Sequence, residues 1–204
     1  MWAFILVVLV LFLIPGPAVL LTLTQTVKGG LRAGIITGVG IAVGDLIHTF
    51  AAVLGLSAIL MTSALAFEMV KYLGAAYLIF LGIKALLEKT KKLEQPTAKK
   101  ESPAVSFRQA LLIELLNPKT ALFFLAFLPQ FVQPGGAPVV NQLLSLGLVF
   151  VLMSILYTSF LAFLASSLGN KLFSRKDKMS RWQGKVVGTI YIGLGLQLVF
   201  QSQK

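Results

Sequence analysis

The sequence has little charge, no cysteine and a single histidine. Of its 204 residues 12% are charged, and the histidine is His48. Without cysteine there can be neither disulfides nor thiolate metal sites, and one imidazole is too few for a dedicated zinc or copper site. We therefore expect no metal and no cofactor.

Most of the chain is apolar: 57% of the residues are hydrophobic, and the mean hydropathy is +0.88. A soluble domain with a water-facing surface cannot be this apolar, so we expect a membrane protein. The net charge is +11, but the basic residues occupy short tracts between long apolar runs. This placement predicts contact with membrane lipid and argues against nucleic acid as a partner.

Six segments are long and apolar enough to span a bilayer, which requires roughly 20 residues. They are 2–27, 33–60, 67–87, 108–131, 142–168 and 184–201. The first has no charge and lacks the basic start of a cleavable signal peptide, so we keep it as a mature helix. The stretch 91–106 is rich in Lys, Glu and Pro, which predicts a charged cytoplasmic linker between one three-helix repeat, 1–90, and a second, 107–204.

A short spacing recurs at the start of the third segment of each half. It consists of Lys71, Gly74 and Tyr77 in one half, and of Lys185, Gly188 and Tyr191 in the other. Because three spans are an odd number, the second repeat must be inverted relative to the first. The predicted fold is an all-α membrane protein of six transmembrane helices in two inverted three-helix repeats.

The basic residues also predict the orientation. Most lie beside the first, third and fifth loops, including Lys28, Arg32 and Arg108. Because cytoplasmic loops carry an excess of Lys and Arg, these loops are predicted to be cytoplasmic and both termini to lie outside.

The first segment of each half is interrupted by proline near its middle. The interruptions are Pro15-Gly16-Pro17 and Asn117-Pro118-Lys119. Proline breaks or kinks a helix, and the freed backbone groups must face protein or a watery cavity. Matched breaks predict a binding site at the midplane. Half-helices that begin near Pro17 and Pro118 would direct their N–H groups at an anionic ligand such as a substrate carboxylate.

Three charged residues lie within the predicted spans: Asp45, Glu114 and Lys119. A charge at the bilayer centre costs about 2.5 to 3.5 kcal/mol on insertion scales, so each is a candidate functional residue. Asp45 continues a helical stripe of small residues that includes Gly34 and Gly38. Since small-residue stripes allow another helix to approach closely, Asp45 should face the bundle rather than lipid.

The roles of these residues stay open at this point. Asp45 could form an interhelical pair with Lys119, or it could receive an amine or a proton. Lys119 could instead attract a substrate carboxylate. Glu114 could be a gate or a ligand, since it follows Arg108 by only a few residues. His48 could pack against its neighbours or relay a proton.

Several of these motifs together resemble the LysE/RhtB amino-acid exporter family. In the order of that family they are Pro15-Gly16-Pro17, the glycine-rich stretch from Gly34 to His48, Lys71 to Leu78 with Leu81-Gly82, Leu116 to Lys119, and Leu128 to Phe131. The resemblance implies a bacterial inner-membrane exporter of amino acids or close derivatives, driven by protons. Ala18 departs from the polar residue that many members carry after Pro-Gly-Pro. The implied partners are an amino acid, protons and lipid, and a homo-oligomer is compatible with the sequence.

Two alternatives come from other classes of protein. Gly44-Asp45 matches the last two residues of the Gly-x-Gly-Asp signature of intramembrane aspartyl proteases, but the first position of that signature, residue 42, is Ala. The only other aspartate, Asp177, lies in a basic loop. The protease dyad is therefore missing, and no enzyme is expected. An inorganic-cation transporter of similar architecture remains the alternative to an exporter, for hard ions rather than soft metals.

Overall fold

The computed structural model describes residues 1–13, 16–62, 102–133 and 135–172, with single positions between 69 and 87 and between 189 and 196. The helices are α1 (Trp2–Leu13), α2 (Pro17–Thr62), α3 (Pro103–Leu115), α4 (Pro118–Leu122) and α5 (Val139–Leu172). After α4 the chain continues as a π-helix, Phe123–Phe127, and a 3-10 helix, Leu128–Phe131. This part of the chain is helical and has no strand. The described residues include little or nothing of the third and sixth predicted segments, of the linker, or of the recurring Lys, Gly and Tyr spacing. The six-helix count, the inverted repeat and the domain boundaries therefore stay predictions.

Both predicted interruptions are present. Helix α1 ends at Leu13 and α2 begins at Pro17, whereas Pro15 itself lies outside the described residues. Helix α3 ends at Leu115 and α4 begins at Pro118. The direction of Pro103–Leu115 differs by 44° from that of Pro118–Phe131. The Asn117 side chain caps α4 by accepting a hydrogen bond from the Lys119 N–H at 3.1 Å. Asparagine at the cap followed by proline in the first turn is a strong local signal for a helix start.

Helix α2 turns back on itself at Gly30. This glycine has φ 77° and ψ −175°, a left-handed conformation that side chains with a Cβ rarely adopt. Gly34 contacts Thr26, eight residues earlier, although a straight helix would separate them by about 12 Å. The chain therefore forms a helical hairpin here, where the sequence predicts the loop between the first two spans.

The apolar helices fit a multi-pass membrane protein. Among the described residues two helices are long and apolar enough to cross a bilayer, Pro17–Gly55 and Val139–Ser167, or three if α3 and Pro118–Phe131 form one bent span. The first of them contains the Gly30 turn. Between residues 148 and 163 the exposed side chains of α5 are all large and apolar, as a lipid-facing surface requires: Leu148, Leu152, Ile155, Leu156, Phe160 and Phe163.

Glycines determine how closely the part of α2 after Gly30 packs against α3. A Cβ added at Gly40 would lie 2.6 Å from the Phe107 carbonyl oxygen, and one added at Gly44 would lie 2.8 Å from the Glu114 Cβ. The two helices thus run parallel, since higher numbers in one face higher numbers in the other. Such close approach is possible only because these positions lack a side chain.

The same part of α2 runs antiparallel to α5. Gly38 contacts Thr158, whereas Thr49 contacts Gly147. The start of this part of α2, the start of α3 and the end of α5 consequently lie at one end of the bundle. We call it the basic end, after Lys28, Arg32 and Arg108. The positive-inside rule predicts that it faces the cytoplasm.

The opposite end is filled by aromatic rings, which we call the aromatic core. Phe4 lies edge-on to Phe131 with ring centroids 5.2 Å apart, and Phe12 lies edge-on to Phe150 at 5.1 Å. Edge-on pairs of this kind add about 0.5–1.5 kcal/mol beyond the burial of their area. The aromatic core consists of Phe4, Phe12, Phe123, Phe124, Phe127, Phe131 and Phe150.

Candidate functional site

The two interrupted helices face each other at their interruptions. Phe4, near the start of α1, contacts Phe131 at the end of the 3-10 helix that follows α4. Gly16 contacts the side chain of Lys119. Low numbers in one helix therefore face high numbers in the other, and the pair runs antiparallel. As a result the two breaks come together instead of lying apart in separate regions of packing.

Lys119 connects the two breaks directly. Its Nζ donates a hydrogen bond to the carbonyl oxygen of Leu11 at 3.0 Å, and a Cβ added at Gly16 would lie 3.6 Å from the same Nζ. Leu11 belongs to the last turn of α1, where carbonyl groups have no partner within the helix. A cation at this position is also favoured by the helix dipole. Lys119 thus also holds the end of α1 through the Leu11 carbonyl, besides the two roles that the sequence suggests, pairing with Asp45 and attracting a substrate carboxylate.

Asp45 faces the interior of the bundle, as its place on the small-residue stripe predicts. Its side chain is 1% exposed and lies beside Glu114 of α3 and Ser154 of α5. One of its oxygens, Oδ2, is buried and has no hydrogen-bond partner among the described residues. The charge of Lys119 also acts on this carboxyl group.

Glu114 is 2% exposed and belongs to the same group of residues. Its two carboxyl oxygens accept hydrogen bonds from Asn117 Nδ2, at 3.3 and 3.2 Å. The start of its side chain packs against Gly44. Glu114 is therefore buried beside Asp45, and its role as a ligand or as a gate stays a prediction.

His48 adjoins the site through the backbone. Its Nε2 lies 3.0 Å from the carbonyl oxygen of Glu114, and its ring stacks on Phe124 with centroids 5.9 Å apart. Nε2 must carry the proton to donate to that carbonyl. This is the geometry of a packing histidine, and a role in proton relay stays a prediction.

We call Asp45, Glu114, Asn117, Lys119 and Ser154 the carboxylate cluster. The structure brings Gly16, Asp45, Glu114, Asn117 and Lys119 together, and His48 adjoins them. Pro17 and Pro118 begin the two half-helices and are exposed, so their part in a binding site stays a prediction. Ser154 was missed, although its spacing from Thr158 places both on one helix face. Among the described residues no group of three His, Cys, Asp or Glu side chains could hold a metal ion.

Replacing Lys119 with methionine should weaken both the fold and transport. Methionine keeps the length of the side chain but leaves the Leu11 carbonyl without this donor and the two carboxyl groups without this cation. We expect the free energy of unfolding to fall by about 1–3 kcal/mol, the cost of a lost hydrogen bond to a charged group. Thermal unfolding in detergent measures this change. A Lys119→Met protein as stable and as active as the wild type would contradict the bridging role of Lys119.

Comparison with known proteins identifies the family. The family model described as LysE type translocator matches residues 9–202. An uncharacterized membrane protein of Pseudomonas aeruginosa is 36% identical, over 97% of this chain and 93% of its own. An uncharacterized membrane protein of Bacillus subtilis is 31% identical, over 96% of each chain. A protein of Enterobacter named leucine efflux protein is 28% identical, over 97% of this chain and 93% of its own. No solved structure matches. The chain therefore belongs to the LysE type translocator family, and it is a transporter rather than an enzyme.

Proposed function

We propose that this protein exports a small amino acid or amino-acid derivative across the bacterial inner membrane in exchange for protons. The observation that carries the proposal is the meeting of Asp45, Glu114 and Lys119 where the two interrupted helices face each other. Charged side chains inside a membrane bundle mark the paths of ions and substrates.

The charges of the carboxylate cluster support proton exchange. Its described residues supply two carboxyl groups, Asp45 and Glu114, and one ammonium group, Lys119. When all three are ionised, one negative charge is left over, and an unbalanced charge at membrane depth is costly. The cluster therefore favours one further positive charge, either a proton or the ammonium group of an amino acid. Because both would occupy the same carboxyl groups, they compete, and that competition couples export to proton entry.

The same residues suggest how the amino acid would be oriented. Its ammonium group would bind Asp45 and Glu114, and its carboxylate would bind Lys119, which would release the Leu11 carbonyl. The residues that follow Pro17 and Pro118 in the first turns of the two half-helices would add N–H groups that favour the same carboxylate. The Lys119 N–H is not among them, since it donates to Asn117.

The surroundings of the cluster favour a substrate with an apolar side chain. His48, which is bonded to Glu114, stacks on Phe124, and Phe124 lies 4.9 Å from the ring of Phe150. The aromatic core is thus connected through His48 to the backbone carbonyl of Glu114, a residue of the carboxylate cluster. Since a relative is named leucine efflux protein, leucine is the first amino acid to test. Rocking of one half against the other would expose the site to each side in turn.

Counterflow in proteoliposomes tests this function. Vesicles that contain the purified protein and an excess of one unlabelled amino acid are placed in a trace of the same labelled amino acid. We expect transient accumulation of the label for apolar amino acids, leucine first, and faster efflux when a pH gradient is imposed. Vesicles without protein are the control. Transport of an inorganic cation and of no amino acid would favour the cation transporter instead.

A further inference from the structure

A second group of polar side chains is buried at the basic end, and the exchange scheme above does not use it. Gln25 is 2% exposed and Ser106 is 1% exposed. Gln25 lies in α2 before the Gly30 turn, and its Nε2 donates to Gln109 Oε1 of α3 at 3.0 Å. This bond joins the two interrupted helices, which the sequence assigns to different halves of the protein.

Ser106 and Gln109 of this second group have donors that the bond to Gln25 does not use. The Thr22, Thr26 and Thr37 hydroxyls donate to carbonyl groups of their own helix, four residues earlier. Ser106 differs, because its Oγ is buried and has no partner among the described residues. Gln109 lies three residues further along α3, on the same side of the helix. It accepts through Oε1, so its amide N–H groups are not used by the bond to Gln25.

We infer that Gln25, Ser106 and Gln109 form a second amino-acid site, the basic-end site, which the substrate occupies before it reaches the carboxylate cluster. A hydroxyl and amide N–H groups are donors suited to the carboxylate of an amino acid. The inference rests on the proposed export of amino acids.

The position of this site fits a stepwise path. Ser106, Ala110 and Glu114 are the buried residues of α3, so one face of this helix leads from the basic-end site to the carboxylate cluster. Eight residues separate Ser106 from Glu114, which is about 12 Å along the helix axis. This distance is too long for one amino acid to bind both groups through the same carboxylate. Arg108 of α3 is exposed at the basic end, where its positive charge attracts anionic groups.

The amide pair also explains how occupation would open this end. The amides of Gln25 and Gln109 that bond to each other are the groups that would turn to the substrate. A carboxylate that also accepts a hydrogen bond from Gln25 Nε2 takes this donor away from Gln109 and so breaks the hydrogen bond between the two side chains. The basic end can then widen while the aromatic core keeps the opposite end packed.

Cysteine labelling tests the basic-end site. Because the chain has no cysteine, Ser106→Cys introduces a single thiol at the unpartnered position. The purified protein in detergent is treated with a hydrophilic methanethiosulfonate reagent, with and without the amino acid that the wild type transports. We expect the amino acid to slow labelling by at least about fivefold, and to do so equally in the Ser106→Cys, Asp45→Asn double variant. Val105→Cys is the matched control. The Val105 side chain, next to Ser106 in the sequence, is 43% exposed, so labelling at this position should not respond to the amino acid.

Three results of the labelling experiment would contradict the basic-end site. Absence of protection, protection that disappears with Asp45→Asn, or a thiol that the reagent never reaches would each overturn the basic-end site. As a second measurement, Gln109→Leu should raise the KM of transport by about tenfold, equivalent to 1.4 kcal/mol of binding, with little change in kcat. An unchanged KM would also overturn the site. Wild-type protein that transports no amino acid would overturn the proposed function itself, whereas normal wild-type transport with a negative labelling result overturns the basic-end site alone.

Discussion

Replacing Asp45 with asparagine should reduce export driven by a pH gradient by at least about a hundredfold. Asparagine has nearly the same size but cannot take up a proton at this position. The cluster would then contain one carboxylate, Glu114, and one ammonium group, Lys119, so its charges would balance without a proton or a substrate. A loss of this size corresponds to about 2.7 kcal/mol, which is in the range of the cost of one charge at membrane depth.

The measurement is efflux of labelled amino acid from proteoliposomes, with and without an imposed pH gradient. Asp177→Asn is the control, because it removes an acidic charge from a predicted basic loop. Counterflow without a gradient separates the two roles of Asp45. If counterflow persists while gradient-driven export is lost, Asp45 binds the proton; if both are lost, it also binds the substrate ammonium. Undiminished gradient-driven export would remove Asp45 as the coupling group.

The interruptions and the charged residues could be predicted because their signals are local. Proline ends or begins a helix through its own ring, wherever the helix packs, so Pro17 and Pro118 mark helix starts in sequence and structure alike. A carboxylate in an apolar span is conspicuous for the same reason. Asp45 and Glu114 could therefore be identified as candidates from the sequence, although their role in transport stays a prediction.

The contacts between helices could not be predicted. Spacing within a helix shows which residues share a face but not which face of another helix they meet. The stripe that contains Gly34 and Gly38 was visible as a surface for close packing, and the structure places it against α5. The second face, with Gly40 and Gly44 against α3, was missed.

The same limit applies to the bond between Lys119 and the Leu11 carbonyl. It joins residues 108 positions apart, and only the antiparallel pairing of the two interrupted helices brings them together. The π-helix at Phe123–Phe127 has no local signal in the sequence either. Irregular turns of this kind depend on the packing of their side chains, here within the aromatic core.

Replacing Gly44 with alanine should separate the two carboxyl groups without changing either of them. The added Cβ would lie 2.8 Å from the Glu114 Cβ and 3.0 Å from its Cγ. Because carbon atoms do not approach this closely without strain, α3 must move away or Glu114 must turn from Asp45. Both responses disturb the cluster, and a displacement of about 1 Å at a binding site can reduce rates by about a hundredfold.

Gly55→Ala is the control, because it makes the same change of residue type without the close contact. Gly55 lies on the same helix, and a Cβ added there would contact nothing within 4 Å. Alanine favours a helix over glycine by about 1 kcal/mol, so Gly55→Ala should be at least as stable as the wild type and transport normally. Gly44→Ala should be destabilised by about 1–3 kcal/mol through overpacking, less the same helix gain. Thermal unfolding and counterflow measure the pair side by side. If the two variants behave alike, the close approach of α2 to α3 does not position Glu114, and the two carboxyl groups do not act as one site.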